Sequence, residues 1–128
     1  MPITDSRIHD GPLIVQQTSE SEGIRLALEG EMDLANAETA ESMLREALAS
    51  GGPVVVDLGK LAFLDSTGVA MLVTAMREGG SRLSFLPSEH ASVRRLLNLT
   101  GLDERMRPAV AVKTSSPAAD AETLQPAA

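Results

Sequence analysis

Cysteine is absent from the 128 residues, which removes disulfides, thiolate nucleophiles and zinc–cysteine sites together. Tryptophan and tyrosine are missing as well, and Phe63 and Phe85 are the whole aromatic complement. A core must then be built from Leu, Val, Ala and Met, and the aromatic platforms that grip single-stranded nucleic acid are hardly supplied. Cations are scarce: 11 Lys and Arg stand against 18 Asp and Glu, a net charge of -7. That balance disfavours direct binding to nucleic acid or an acidic membrane surface and favours a protein partner. His9 and His90 lie far apart with no ligand spacing around them and read as solvent-facing polar residues, so no metal or other cofactor is expected. No run approaches the roughly 20 apolar residues of a membrane span. Met1-Pro2-Ile3-Thr4-Asp5-Ser6 has neither a basic segment nor an apolar stretch of signal-peptide length. The expectation is a soluble cytoplasmic protein with one core.

What is present organises into strands and helices. Leu13 to Gln17 and Ile24 to Glu29 flank a polar loop, and Ile24, Leu26 and Leu28 alternate with Arg25, Ala27 and Glu29, which predicts an antiparallel hairpin with one wet face. Ala37, Ala40, Leu44, Ala47 and Leu48 recur at helical spacing, with Asn36 placed to cap the helix, Glu38 and Glu41 suited to its positive end, and Gly51-Gly52-Pro53 ending it. The unbroken run Val54 to Leu58 predicts a strand buried on both faces at the centre of a partly parallel sheet. A helix apolar nearly all round follows over 66–77, ended by Gly79-Gly80; a strand Leu83 to Leu86 closes against Pro87. Ser88 is placed to cap a third helix, with Val93, Leu96, Leu97 and Thr100 on one face and Gly101 as its stop. The order β-β-α-β-α-β-α describes an α/β domain around a mixed sheet. Met106 to Val112 could add an edge strand, and the stretch beyond Lys113 has too little apolar content to order itself. The expected division is an N-terminal extension over 1–11, the domain over 12–112 and a flexible tail over 113–128.

Between the run ending at Leu58 and the next apolar run, Val69 to Val73, lies Asp65-Ser66-Thr67-Gly68. Two adjacent hydroxyls beside a carboxylate thus stand on a strand-to-helix turn. From the residues alone this turn admits two readings. Asp65 or Ser66 is an N-cap worth about 1 kcal/mol and Gly68 allows close packing; or Ser66 is a modifiable hydroxyl beside the free N–H groups of a helix start. A phosphate there would add about -1.5 to -2 charges beside Asp65 and oppose docking by a partner carrying acidic groups.

The segment from Val54 to Leu72 resembles the signature of the STAS domain family, in particular its stand-alone anti-sigma factor antagonists: an apolar strand ending Asp-Leu, a short loop, an Asp-Ser-Ser/Thr-Gly turn and an apolar helix. Gly30-Glu31-Met32-Asp33 is similar to the family's Gly-Glu-Leu-Asp turn, and Val93 to Leu102 to its Val-x-x-x-Leu-x-x-x-Gly-Leu segment. The resemblance implies a single STAS domain, α/β, with a mixed sheet and an N-terminal antiparallel hairpin. It implies an adaptor that is not an enzyme and has no cofactor. Such an adaptor binds an anti-sigma factor, itself a serine kinase with the ATP-binding fold of histidine kinases, and so frees a sigma factor for transcription in a stress response. The kinase would phosphorylate Ser66 and release the adaptor, and a serine phosphatase would restore it. The same resemblance puts Asp33, Asp65, Ser66, Thr67 and Gly68 on the docking surface, with Thr67 supporting the turn; Asp33 also reads as a plain turn former. The family's further C-terminal helix has no clear counterpart in the Ala/Pro-rich end.

Rival readings are weaker. A receiver domain would use Asp57 as its phosphorylated aspartate, but Leu13-Ile14-Val15-Gln16-Gln17 is followed by Thr18 and Ser19 where an acidic pair should hold magnesium; Asp57 reads instead as a strand-end residue bonding backbone. The aspartic protease motif lacks the extra residue found in Asp65-Ser66-Thr67-Gly68, and no phosphate-binding glycine motif occurs. A STAS adaptor switching a phosphatase or another stress-signalling assembly would carry the same turn and stays open.

Overall fold

The computed structural model describes residues 5–102, in the order β1 (Ser6–Asp10), β2 (Leu13–Ser19), β3 (Ile24–Met32), α1 (Ala37–Ala49), β4 (Val54–Leu64), α2 (Ser66–Gly79), a short 3-10 turn, β5 (Leu83–Leu86) and α3 (Ala91–Asn98). The strands form one sheet in the order β1-β2-β3-β4-β5. β1, β2 and β3 run antiparallel in succession, whereas β3 to β4 and β4 to β5 are parallel pairs. Parallel neighbours need a crossover, and α1 and α2 supply the two. The mixed α/β fold and the N-terminal hairpin are as the sequence pattern indicates. The edge strand and tail read into 106–112 and 113–128 lie outside the described residues.

Rows of side chains cross the sheet and meet the helices. Leu26, Val56 and Phe85 are register partners in one row, and Ile24, Val54 and Leu83 in the next; all six are buried. Against these rows sit Ala40, Leu44, Ala47 and Leu48 of α1 and Leu72 and Ala75 of α2, and the two helices also touch each other. Each large side chain in such a row contributes roughly 1.5–3 kcal/mol by leaving water. Phe85, one of the two aromatics, is fully enclosed.

Several local features differ from the sequence reading. Ser6–Asp10, placed in an extension by its polar character, pairs with β2; its side chains are mostly exposed, so it leaves no hydrophobic signature. β4 is buried on one face only: Val54, Val56 and Leu58 are enclosed while Val55 and Asp57 are half-buried. β4 also continues to Leu64 instead of ending at Leu58. Its register against β3 shifts twice, between Ala27 and Glu29 and between Gly30 and Glu31. The first shift has a local cause: Asp57 Oδ1 accepts a hydrogen bond from Gly59 N at 2.8 Å, taking a donor out of the regular ladder. α2 is amphipathic, with Ala70, Thr74, Arg77 and Glu78 exposed.

Two expected caps act otherwise. Asn36 stands at the N-cap position of α1 but makes no side-chain cap bond; its Oδ1 accepts from Asp33 N at 2.9 Å and its Nδ2 donates to Glu31 O at 3.1 Å. Ser88 lies two residues before His90, the N-cap position of α3. Its buried hydroxyl donates to Leu61 O and accepts from His90 N, both at 2.9 Å, which ties α3 to β4. At the far end of α1, Arg82 donates to Leu48 O and Gly52 O at 3.0 Å, tying the turn before β5 to the helix end and the loop that follows it.

Gly30 sets the exit from β3. Its φ is +98°, and a Cβ there would overlap the Pro12 carbonyl oxygen, which accepts from Glu31 N at 3.1 Å. Both the backbone region and the contact exclude a side chain. Gly30→Ala is therefore expected to lower the unfolding free energy by about 2–3 kcal/mol, read from the urea midpoint at unchanged slope.

Candidate functional site

The parallel pair β3 and β4 ends in register, Met32 opposite Leu64, so the segments leaving them, 33–36 and 65–68, emerge at the same end of the sheet. Ligand sites of parallel sheets gather at the carboxyl ends of strands for this reason. Asp65 N donates to Met32 O at 3.2 Å, continuing the strand contact by one residue. Beyond it the chain turns into α2.

Asp65 caps α2 from an extended backbone, φ -97° and ψ -176°. Its Oδ1 accepts from Gly68 N at 3.0 Å, and its Oδ2 accepts from Leu34 N at 3.1 Å. One carboxylate thus closes the helix start and fastens the neighbouring loop to it. The negative charge also suits the helix N-terminus. Of the two residues that could have capped the helix, Asp65 does so. Ser66, the first helical residue, is exposed, and Thr67 is half-buried. Gly68 is buried because α2 starts hard against the strand ends: a Cβ there would overlap Leu64 Cδ1 and come within 3.1 Å of Met32 Cε.

Asp33 is half-buried and shapes the opposite loop. Its Oδ1 accepts from Ala35 N at 3.0 Å, and its carbonyl accepts from Asn36 N at 3.1 Å and Ala37 N at 2.9 Å. The Leu34–Asp65 bond links this turn to the helix start, so the five candidate residues Asp33, Asp65, Ser66, Thr67 and Gly68 come to one end of the molecule. β1 braces the same region, since Thr39 Oγ1 donates to Asp10 Oδ2 at 2.6 Å.

Two other residues at this end, Leu34 and Phe63, escaped the sequence reading, and a third, Asn36, was read only as a helix cap. Asn36, 1% exposed, is the internal brace of the loop. Leu34 and Phe63 are exposed apolar side chains next to the turn. A Leu in a polar turn and a Phe three residues before a helix were the available signals, but neither belongs to a periodic pattern.

Elsewhere the structure removes alternatives. The Asp57 carboxylate is held by Arg25 Nη2 at 2.7 Å as well as by Gly59 N, and Arg25 also approaches Glu20 at 3.6 Å. The antiparallel β2–β3 hairpin differs from the parallel, doubly wound sheet of a receiver. A groove of about 380 Å³ on the sheet, lined by residues including Gln16, Arg25, Asp57 and Lys60, contains that ion pair, so two of its charges already satisfy each other. Among the described residues no three His, Asp or Glu side chains gather to hold a metal ion, and no helix is long and apolar enough to cross a membrane. His9 and His90 are exposed.

Comparison with known proteins agrees with this geometry. The family model described as "Mlab, STAS domain" matches residues 15–110. The anti-sigma-F factor antagonist RsfB of Mycobacterium tuberculosis, in two strains, is 33% identical over 84 residues, covering 64% of this chain and 69% of RsfB. Among solved structures, an anti-sigma factor antagonist from Mycobacterium paratuberculosis superposes with a TM-score of 0.67 at 22% identity, over 77% of this chain and 87% of that one. SpoIIAA, an anti-sigma factor antagonist and Bacillus cell fate determinant, superposes in its unphosphorylated form with a TM-score of 0.57 at 20% identity, over 81% and 86%. Its phosphorylated form gives 0.53 at 19%, over 81% and 89%. With its Asp-Ser-Thr-Gly turn at the joined ends of two parallel strands, the chain belongs to the STAS domain family, among the anti-sigma factor antagonists.

Proposed function

We propose that the chain binds an anti-sigma factor while Ser66 is unmodified and is released when that anti-sigma factor, a serine kinase of the histidine-kinase ATPase fold, phosphorylates Ser66. A serine phosphatase returns it to the binding form. The chain is on this reading the substrate of an enzyme and not an enzyme, a cytoplasmic partner switch that controls a sigma factor in a stress response. Asp33, Asp65, Thr67 and Gly68 shape the surface on which the kinase docks.

One observation carries the reading. Asp65, not Ser66, holds the helix start together, so the exposed Ser66 hydroxyl has no structural duty and can be modified without unfolding what it begins. A phosphoryl group at the first helical position would stand by N–H groups with no intrahelical partner. It would also add about -1.5 to -2 charges one residue from Asp65. Solved relatives in phosphorylated and unphosphorylated forms and the antagonist name of RsfB support the same cycle.

Incubation with the purified anti-sigma factor kinase and ATP is expected to place phosphate on Ser66, seen by mass spectrometry; phosphate found solely on other residues would overturn the assignment. Ser66→Ala should take no phosphate and bind constitutively, with stability within about 0.5 kcal/mol of wild type. Ser66→Asp should bind the kinase at least about tenfold more weakly. Asp65→Ala makes the contrast: with two N–H donors losing a charged acceptor, it should cost about 2 kcal/mol in urea unfolding. Equal stability of Asp65→Ala and wild type would show that the clamp does not form in solution.

A further inference from the structure

Two large apolar side chains stand in water beside the turn: Leu34 is 76% and Phe63 48% exposed. A single exposed Leu or Phe is ordinary, but these two sit on the segments that frame Ser66. Leu34 is held through its N–H by Asp65. Phe63 is paired in register with Glu31, two residues before Asp65. The other exposed large apolar residues among those described, Ile8 and Leu99, lie on β1 and just past α3.

The surroundings have one sign of charge. Residues 30–37 and 63–68, which build this end, hold three carboxylates, Glu31, Asp33 and Asp65, and no Lys, Arg or His. The ion pairs of the described residues, Arg25 with Glu20 and Asp57, and Arg45 with Glu41 and Glu78, leave Glu31, Asp33 and Asp65 without a cationic partner. An apolar pair set in an unneutralised acidic field fits a partner face with an apolar recess and a basic rim.

We propose that Leu34 and Phe63 are the apolar anchors of the docking face, and that the anti-sigma factor seats on them with an apolar recess rimmed by arginine or lysine side chains. This rests on the partner assignment above and adds the contact that holds the complex and the way it is broken. Phosphate on Ser66 brings its hydration to the edge of the recess. Seating the anchors would strip that hydration against the apolar wall of the recess, where no cation meets the phosphate, so release follows from desolvation and not from long-range repulsion. Salt screens repulsion but does not lessen this penalty.

The test is titration calorimetry of the full chain with the kinase that phosphorylates Ser66. Leu34→Ala and Phe63→Ala should each weaken binding by about tenfold or more, with melting temperatures unchanged because neither side chain is in the core. Leu34→Met, which keeps the apolar reach, should bind within about threefold of wild type. Wild-type affinity should fall as salt rises, and Glu31→Gln should flatten that fall. Salt should not restore binding of the phosphorylated chain. A Leu34→Ala, Phe63→Ala double variant that is phosphorylated on Ser66 and binds within about threefold of wild type would overturn the proposal. So would restored binding of the phosphorylated chain at high salt, or a double variant that loses only self-association. A wild-type chain that takes no phosphate on Ser66 identifies failure of the partner assignment itself.

Discussion

The carboxylate of Asp65 joins the two loops that the parallel strands deliver to one end of the sheet. Its oxygens accept from Gly68 N and Leu34 N, donors on opposite sides of the turn. Each bond alone is a modest contribution, on the order of 1–2 kcal/mol for a charged acceptor. Together they set the relative position of a helix start and a loop that are otherwise connected through the core. Because an aspartate does this work, the following serine is free of it, and a structural device and a regulatory one can occupy adjacent residues.

The fold makes that adjacency useful. β3 and β4 run parallel and finish side by side, whereas β1 to β3 alternate in direction. The loop before α1 and the turn before α2 consequently form one surface, acidic and bearing Leu34 and Phe63. Buried small contacts keep it in place: Gly68 lets α2 begin against Leu64 and Met32, and Asn36 ties Asp33 to Glu31. On the sheet, by contrast, Arg25 and Asp57 are already paired with each other.

Much of this was readable from residue order because it rests on local chemistry. Alternation in Ile24 to Glu29 marks a strand with one buried face, helical spacing from Ala37 to Leu48 marks α1, and glycines mark where helices stop. The Asp65-Ser66-Thr67-Gly68 turn is a local pattern too, and its family resemblance holds. β1 was invisible because an exposed edge strand needs no apolar alternation. The continuation of β4 to Leu64 was hidden by Gly59 and by a side-chain bond that interrupts the ladder. Ser88 passed for a cap because a hydroxyl before a helix looks the same whether it bonds the helix or a strand 27 residues away.

Composition and spacing alone settled that this chain would fold as an α/β domain without cysteine chemistry and would present a hydroxyl pair beside a carboxylate at a helix start, since burial period and turn chemistry act over a few residues. They left undecided which of Asp65 and Ser66 would serve as the cap, that Leu34 would be bound to Asp65 across 31 positions, and that Leu34 and Phe63 would remain in water. Those outcomes required β3 and β4 to pair in parallel, because only that pairing sets two distant loops within hydrogen-bonding reach.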